Sequence, residues 1–373
     1  VRLHHAVVPL AATAAVLSVT PLTAQAAPVA GQDVPAGITV STERTSDREV
    51  RAYWTPARLR AAAASPVDVT ALKQRARTQE PTADSATEHG APAIAASHAA
   101  APATKPARTS YATTDAATAT TAAATEISVS QEVPYTTAPQ YSLVGRLFFK
   151  QPDGSDHSCS AAVIVSNNRN TLWTAGHCVH AGDGSGSAGF YTMTEFIPGY
   201  RDGSGPYGSW TIKSKVVNNE WMDSGDMEDA DYAAVVLNDH PTWGKLQDNV
   251  GAFGYTFTEN LTDHAEVYAA GYPGKGYNRT DLTGERMMYC YGNTVDAGPW
   301  NPFDDRMSMD CDMGEGSSGG PWIEGKNSAD PRIIGAVSHH ESDASGNRIS
   351  DDQFSSEHDS KAGNTISTAN GIS

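Results

Sequence analysis

An all-β fold is predicted for most of this 373-residue chain, and two observations predict it. From Val133 onward, short apolar runs are separated by clusters of Gly, Asn and Asp, the texture of strands joined by turns. No amphipathic helical pattern alternates with those runs, which disfavours a parallel α/β sheet. Strands are expected at 144–149, 160–165, 171–174, 232–237, 265–270, 287–291 and 333–337, with no internal repeat. Residues 341–373 are polar and turn-rich, and read as either a final edge segment or a loose tail.

The N-terminal part has a different texture. Arg2, His4 and His5 precede an apolar run over 6–22, and Ala24-Gln25-Ala26 follows as a small-x-small cleavage site, so residues 1–26 are expected to be a secretory signal peptide. A membrane anchor is the competing reading; the run is alanine-rich and broken by Pro9 and Pro21, whereas a span needs about 20 strongly apolar residues. Residues 27–126 are dominated by Ala, Thr, Pro and Ser, with low-complexity runs at 96–103 and 113–125. That composition is expected to bury too little apolar surface to offset chain entropy, apart from a modest helix at 59–77. A removed propeptide is the expectation, with a retained flexible arm as the alternative. The folded domain is then 127–373.

Export leads to an oxidising, extracellular location where disulfides persist. Four cysteines allow three connectivities, and their order favours Cys159 with Cys178 and Cys290 with Cys311. No Cys/His quartet has zinc spacing, and no metal is expected. The net charge of −17 argues against a nucleic-acid partner, which needs a concentrated basic face. Asp223, Asp226, Glu228 and Asp229 form an acidic loop that reads as a solvated loop or a calcium site without EF-hand spacing.

The strongest chemical signal is the octet Gly314-Glu315-Gly316-Ser317-Ser318-Gly319-Gly320-Pro321. A serine in a tight glycine turn is exposed as a nucleophile, and glycines let backbone N–H groups approach a developing oxyanion. Upstream, Leu172-Trp173-Thr174-Ala175-Gly176-His177-Cys178 ends an apolar run in a histidine, and Asp231-Tyr232-Ala233-Ala234-Val235-Val236-Leu237 starts another with an aspartate. A base must take the serine proton, and a carboxylate must hold the imidazole in the right tautomer. Any one of these residues alone would be structural; together, in the order His, Asp, Ser, they point to nucleophilic catalysis. Gly316 to Gly320 also satisfies G-x-S-x-G, but an α/β-hydrolase needs the order Ser, acid, His and a strand-to-helix elbow.

These motifs resemble those of the chymotrypsin-like serine peptidases over about residues 133–340. The resemblance implies two antiparallel six-stranded β-barrels with the site in the cleft between them. Ser318 would be nucleophile, His177 base and then acid, and Asp231 orienter, with the N–H groups of Gly316 and Ser318 as oxyanion hole. Asp229 is the close rival of Asp231, which better matches the family pattern. Proteins or peptides are the expected substrates, no cofactor is implied, and the mature form is expected to be a monomer off the membrane.

Two departures matter. Ser317 stands where digestive members of the family carry the aspartate that pairs with a freed N-terminus, which points to the bacterial secreted, glutamyl-endopeptidase-like branch and to control by a propeptide. Asp312 lies six residues before Ser318, the count of a trypsin-type acid, but follows Cys311 where the family has its cysteine later. Ser338, His339 and His340 align with the pocket wall, with two imidazoles replacing an aromatic and a glycine. Basic, acidic and small-residue preferences all stay open, as does a catalytically silent binding module on the same fold.

Overall fold

The computed structural model describes residues 34–68, 87–93, 125–134, 139–258, 262–298 and 306–373. The predicted signal peptide and both low-complexity runs lie outside these residues. Strands form where β-branched and aromatic residues cluster between turn residues. β1 (Ile38–Thr42), β2 (Thr87–Gly90) and β3 (Ile127–Glu132) come first. β4 (Val144–Lys150), β5 (Asp156–Ile164), β6 (Thr171–Thr174), β7 (Thr192–Pro198), β8 (Trp210–Asn218) and β9 (Ala233–Leu237) follow. The set ends with β10 (Gly254–Thr258), β11 (Val267–Gly271), β12 (Met288–Gly292), β13 (Val295–Asp296), β14 (Met307–Asp310), β15 (Pro321–Glu324), β16 (Arg332–His339) and β17 (Asp352–Ser355).

Six antiparallel strands close a barrel in the order β8, β7, β4, β5, β6, β9, with β9 pairing back onto β8. The second sheet runs β13, β14, β17, β16, β15, β11, β12, β3 and curls into a half-barrel, with β10 against β16. This is the chymotrypsin-like two-barrel arrangement, with the second barrel less fully closed than the first. Phe148, Phe149, Phe196 and Trp210 of the first-barrel strands are buried, and Trp173 stacks on Tyr232 at 5.6 Å.

Both expected disulfides are formed: Cys159 to Cys178, and Cys290 to Cys311. Among the described residues no helix is long and apolar enough to cross a membrane.

The polar C-terminal stretch is ordered. It supplies β17 and then a helix, Ser360–Asn370, started by Asp359, whose carboxylate accepts from the N–H groups of Lys361 and Ala362. Ala362, Ile366, Ala369 and Ile372 are spaced to bury one face against the first barrel, a stripe diluted in sequence by Ser, Thr and Asn.

Part of the N-terminal segment folds too. β1 extends the first barrel by pairing with β8, and two short helices follow, α1 (Asp47–Tyr53) and α2 (Pro56–Ala63). The expected helix over 59–77 is thus met only in its first turns, earlier than expected; residues 69–77 lie outside the described residues. Val50, Trp54, Leu59 and Val67 are buried, and Lys215 of β8 pairs with Glu43 at 3.0 Å with both side chains almost wholly covered. Averaging over residues 27–126 hid this, because the few large apolar side chains sit in one stretch.

Candidate active site

The register of two strands builds the first half of the site. β6 and β9 pair with Thr174 opposite Ala233, so His177, just past β6, and Asp231, just before β9, emerge at the same end of the barrel. A 3-10 turn, Gly176–Cys178, aims the imidazole back; a Cβ on Gly176 would lie 2.8 Å from the Trp221 ring, so only glycine fits. Asp231 accepts from the His177 N–H at 2.8 Å through Oδ1 and meets His177 Nδ1 at 2.8 Å through Oδ2. Ser338 donates its hydroxyl to the same Oδ2 at 2.6 Å. His177 and Asp231 are fully buried, and His177 Nε2 has no hydrogen-bond partner among the described residues.

The serine turn is clamped against this frame. The Ser318 carbonyl accepts from Ser160 N–H at 2.8 Å, and Gly319 N–H donates to Val337 O at 2.7 Å. Gly319, at φ +76°, lies so close to Thr174 that a Cβ would come within 2.0 Å of its hydroxyl. Gly316 sits at φ +97° with the Tyr272 carbonyl where a Cβ would be, and the Ser160 hydroxyl donates to its carbonyl at 2.9 Å. No hydrogen bond among the described residues uses the N–H of Gly316 or of Ser318.

A trypsin-like peptidase domain model matches residues 159–329, the stretch that holds His177, Asp231 and Ser318. The solved protease Anisep from Arthrobacter nicotinovorans is 29% identical, with 64% of this chain and 98% of that one aligned at a TM-score of 0.54. The thermostable serine protease AL20 from an extremophilic microorganism is 28% identical, with 63% and 100% aligned at 0.53. Residues 159–329 thus match a trypsin-like peptidase domain, on a fold shared with solved serine proteases. A glutamyl endopeptidase of Bacillus licheniformis is 30% identical over 142 residues, 38% of this chain. An extracellular metalloprotease of Bacillus subtilis is 31% identical over 137 residues, 36% of this chain. The chain spans only 39% and 38% of the length of these two curated relatives.

Cys159, His177 and Cys178 bring potential ligand atoms within 4.8 Å of one another, but both sulfurs are consumed by the disulfide, which leaves one imidazole. Asp229 is not bonded to His177. Burial first, then the neighbouring Asp226, pushes its carboxyl up to about 7. Asp226 itself accepts from the N–H groups of Glu228 and Asp229, closing the acidic loop on itself.

Beside Ser318 lies a small cleft whose walls include Met313, Ser317, Ser338, His339, His340 and Gln353. Asp312 is not part of that wall. Its carboxylate accepts from Arg279 at 2.7 Å and from Ser130 N–H at 2.9 Å, so its charge is neutralised away from the cleft. Ser317 is buried and donates to Gly314 O at 2.6 Å, a local bond in place of an ion pair with a free N-terminus. Ser160, Trp221, Arg306 and Gln353 also shape the site. None stands near a motif, and only strand register and packing bring them in.

Proposed function

We propose that this peptidase is a secreted serine endopeptidase that cleaves peptide bonds through an acyl-enzyme. The reading rests on one observation: a buried imidazole held by Asp231 through Nδ1, with Nε2 left without a hydrogen-bond partner among the described residues. His177 Nε2 takes the proton of the Ser318 hydroxyl as Oγ attacks the scissile carbonyl, and Asp231 stabilises the imidazolium. The oxyanion is held by the N–H groups of Gly316 and Ser318. His177 returns the proton to the leaving amine, and water then releases the acyl group by the same steps in reverse order. The test is a fluorophosphonate probe on the mature protein. Label on Ser318, absent in Ser318→Ala and strongly reduced in His177→Ala, is expected; no label on folded protein would leave a catalytically silent binding module as the better reading.

An acidic side chain at the cleaved bond is the preferred substrate. Asp312 is engaged with Arg279, the His340 imidazole lines the cleft, and one relative is named a glutamyl endopeptidase. Peptides with Glu at that position should exceed their Lys counterparts in kcat/KM by at least tenfold, and equal rates would refute the assignment.

Residues 1–26 act as the secretion signal and the segment up to about residue 126 as a prosegment that holds the cleft closed. Supporting this, Pro66 lies alongside Ser158, Ala63 O accepts from Arg146 at 2.8 Å, and Pro66 would meet a Cβ on Gly316 at 3.4 Å. A peptide of residues 34–68 added to protein starting at residue 127 should inhibit it, and an unchanged rate would sink the closure.

A further inference from the structure

The carboxylate that holds His177 is itself reached by a second chain of hydrogen bonds. Ser338 Oγ lies 2.6 Å from Asp231 Oδ2 and 2.9 Å from His339 Nδ1, and His339 Nε2 lies 3.1 Å from Arg306 Nη1. Every direction in this chain is fixed by what each group can do. A guanidinium only donates, so Nε2 must accept. A neutral imidazole then carries its hydrogen on Nδ1 and donates it to Ser338 Oγ. The serine's own hydrogen is left for Asp231, which when ionised can only accept.

The ring has little freedom to escape this arrangement. His339 is 3% exposed and stacks on Phe354 at 5.2 Å with an interplanar angle of 6°. The Arg306 guanidinium lies 5.4 Å from the centre of the same Phe354 ring, and Glu228 stands 3.9 Å from Arg306 Nη1. The cation facing Nε2 opposes any second proton on the imidazole.

We propose that Arg306 is a positioning residue: by fixing the tautomer of His339 it commits the Ser338 hydroxyl as a donor to Asp231, and so fixes the carboxylate that orients His177. This rests on Asp231 being the orienting acid. Without a donor at Nε2, the ring is free to carry its hydrogen there. Nδ1 then accepts the Ser338 hydrogen, and Asp231 loses one of its donors.

The test joins spectroscopy to kinetics on the mature enzyme. In 15N-histidine-labelled parent protein, His339 is expected to show a protonated Nδ1 and a bare Nε2. Arg306→Lys, which keeps a donor-only cation, should retain that pattern. Arg306→Gln, whose carbonyl can accept from Nε2–H, should give a mixture of tautomers. Correspondingly, Arg306→Gln should lower kcat at least fivefold with KM within twofold of the parent, and Arg306→Lys should restore kcat to within twofold. A parent His339 protonated on Nε2, or an Arg306→Gln enzyme with full kcat, overturns the proposal. The parent measurement needs no variant to fold. Failure of the catalytic reading itself is separately visible, because Ser318→Ala would then be as active as the parent.

Discussion

At the scale of single residues, the site depends on one carboxylate accepting several donors in a space without water. Asp231 receives the His177 N–H and the Ser338 hydroxyl besides facing the imidazole, so its charge is satisfied without a cation. Asp231→Asn keeps the shape but favours the wrong imidazole tautomer, and kcat should fall about 10⁴-fold, roughly 5 kcal/mol of barrier, measured on a peptide substrate. Asp229→Asn should leave kcat within about twofold, since Asp229 has no bond to the histidine. Glu195 is a second buried carboxyl with a different outcome. Burial, set against the Ser209 hydroxyl, pushes it up to about 7 from 4.5. The folded form keeps that proton while the unfolded form loses it, so stability falls as pH rises from 4.5 to about 7. Glu195→Gln should therefore match the parent at pH 4 and exceed it at pH 8 by on the order of 2 kcal/mol in urea unfolding.

At the scale of elements, function comes from where strands end. His177 and Asp231 are 54 residues apart, and the pairing of β6 with β9 brings them together. The bond from Cys159 to Cys178 ties the histidine turn back to β5, closing a sequence separation of 19. Cys159→Ala with Cys178→Ala should cost about 3 kcal/mol in equilibrium unfolding. Burst titration of the sites that remain folded should also show a lowered kcat, because the turn carrying His177 loses its tether. The helix Ser360–Asn370 starts on a single side chain, so Asp359→Ala should remove about 1 kcal/mol, visible as a lower midpoint in denaturant.

At the scale of the molecule, the first barrel is shared with the N-terminal segment. Lys215 is 2% exposed in its side chain and its partner Glu43 is 5% exposed, so the pair is buried only while the segment is docked. Burial works against ionisation of Glu43, but Lys215 outweighs it and the carboxyl stays below its ordinary value. Its contribution is therefore present above about pH 4.5 and is lost as pH falls through the lowered value. Glu43→Ala leaves the lysine without its partner and should destabilise the full chain by about 3 kcal/mol at pH 7, read by thermal unfolding. Release of the segment after cleavage should be faster in this variant, seen as a shorter lag before activity.

Much of this was legible along the chain. Short β-rich runs, the histidine and aspartate flanking two of them, the glycine-rich serine turn and the paired cysteines are local signals, each set by residue types within a few positions of one another. The fate of Asp312 was not, because the arginine that neutralises it is 33 residues away in another loop. Nor were the docked N-terminal segment and the C-terminal helix, whose few apolar residues gain meaning only against the barrel they cover. The tautomer of His339 likewise depends on an arginine brought up by β14 and a phenylalanine brought up by β17. Sequence alone determined which side chains are available for the proposed chemistry, since the serine, histidine and aspartate are set by residue type and local turn. Tertiary structure decided which charges are free to meet a substrate, because neutralisation and burial are properties of neighbours distant in sequence.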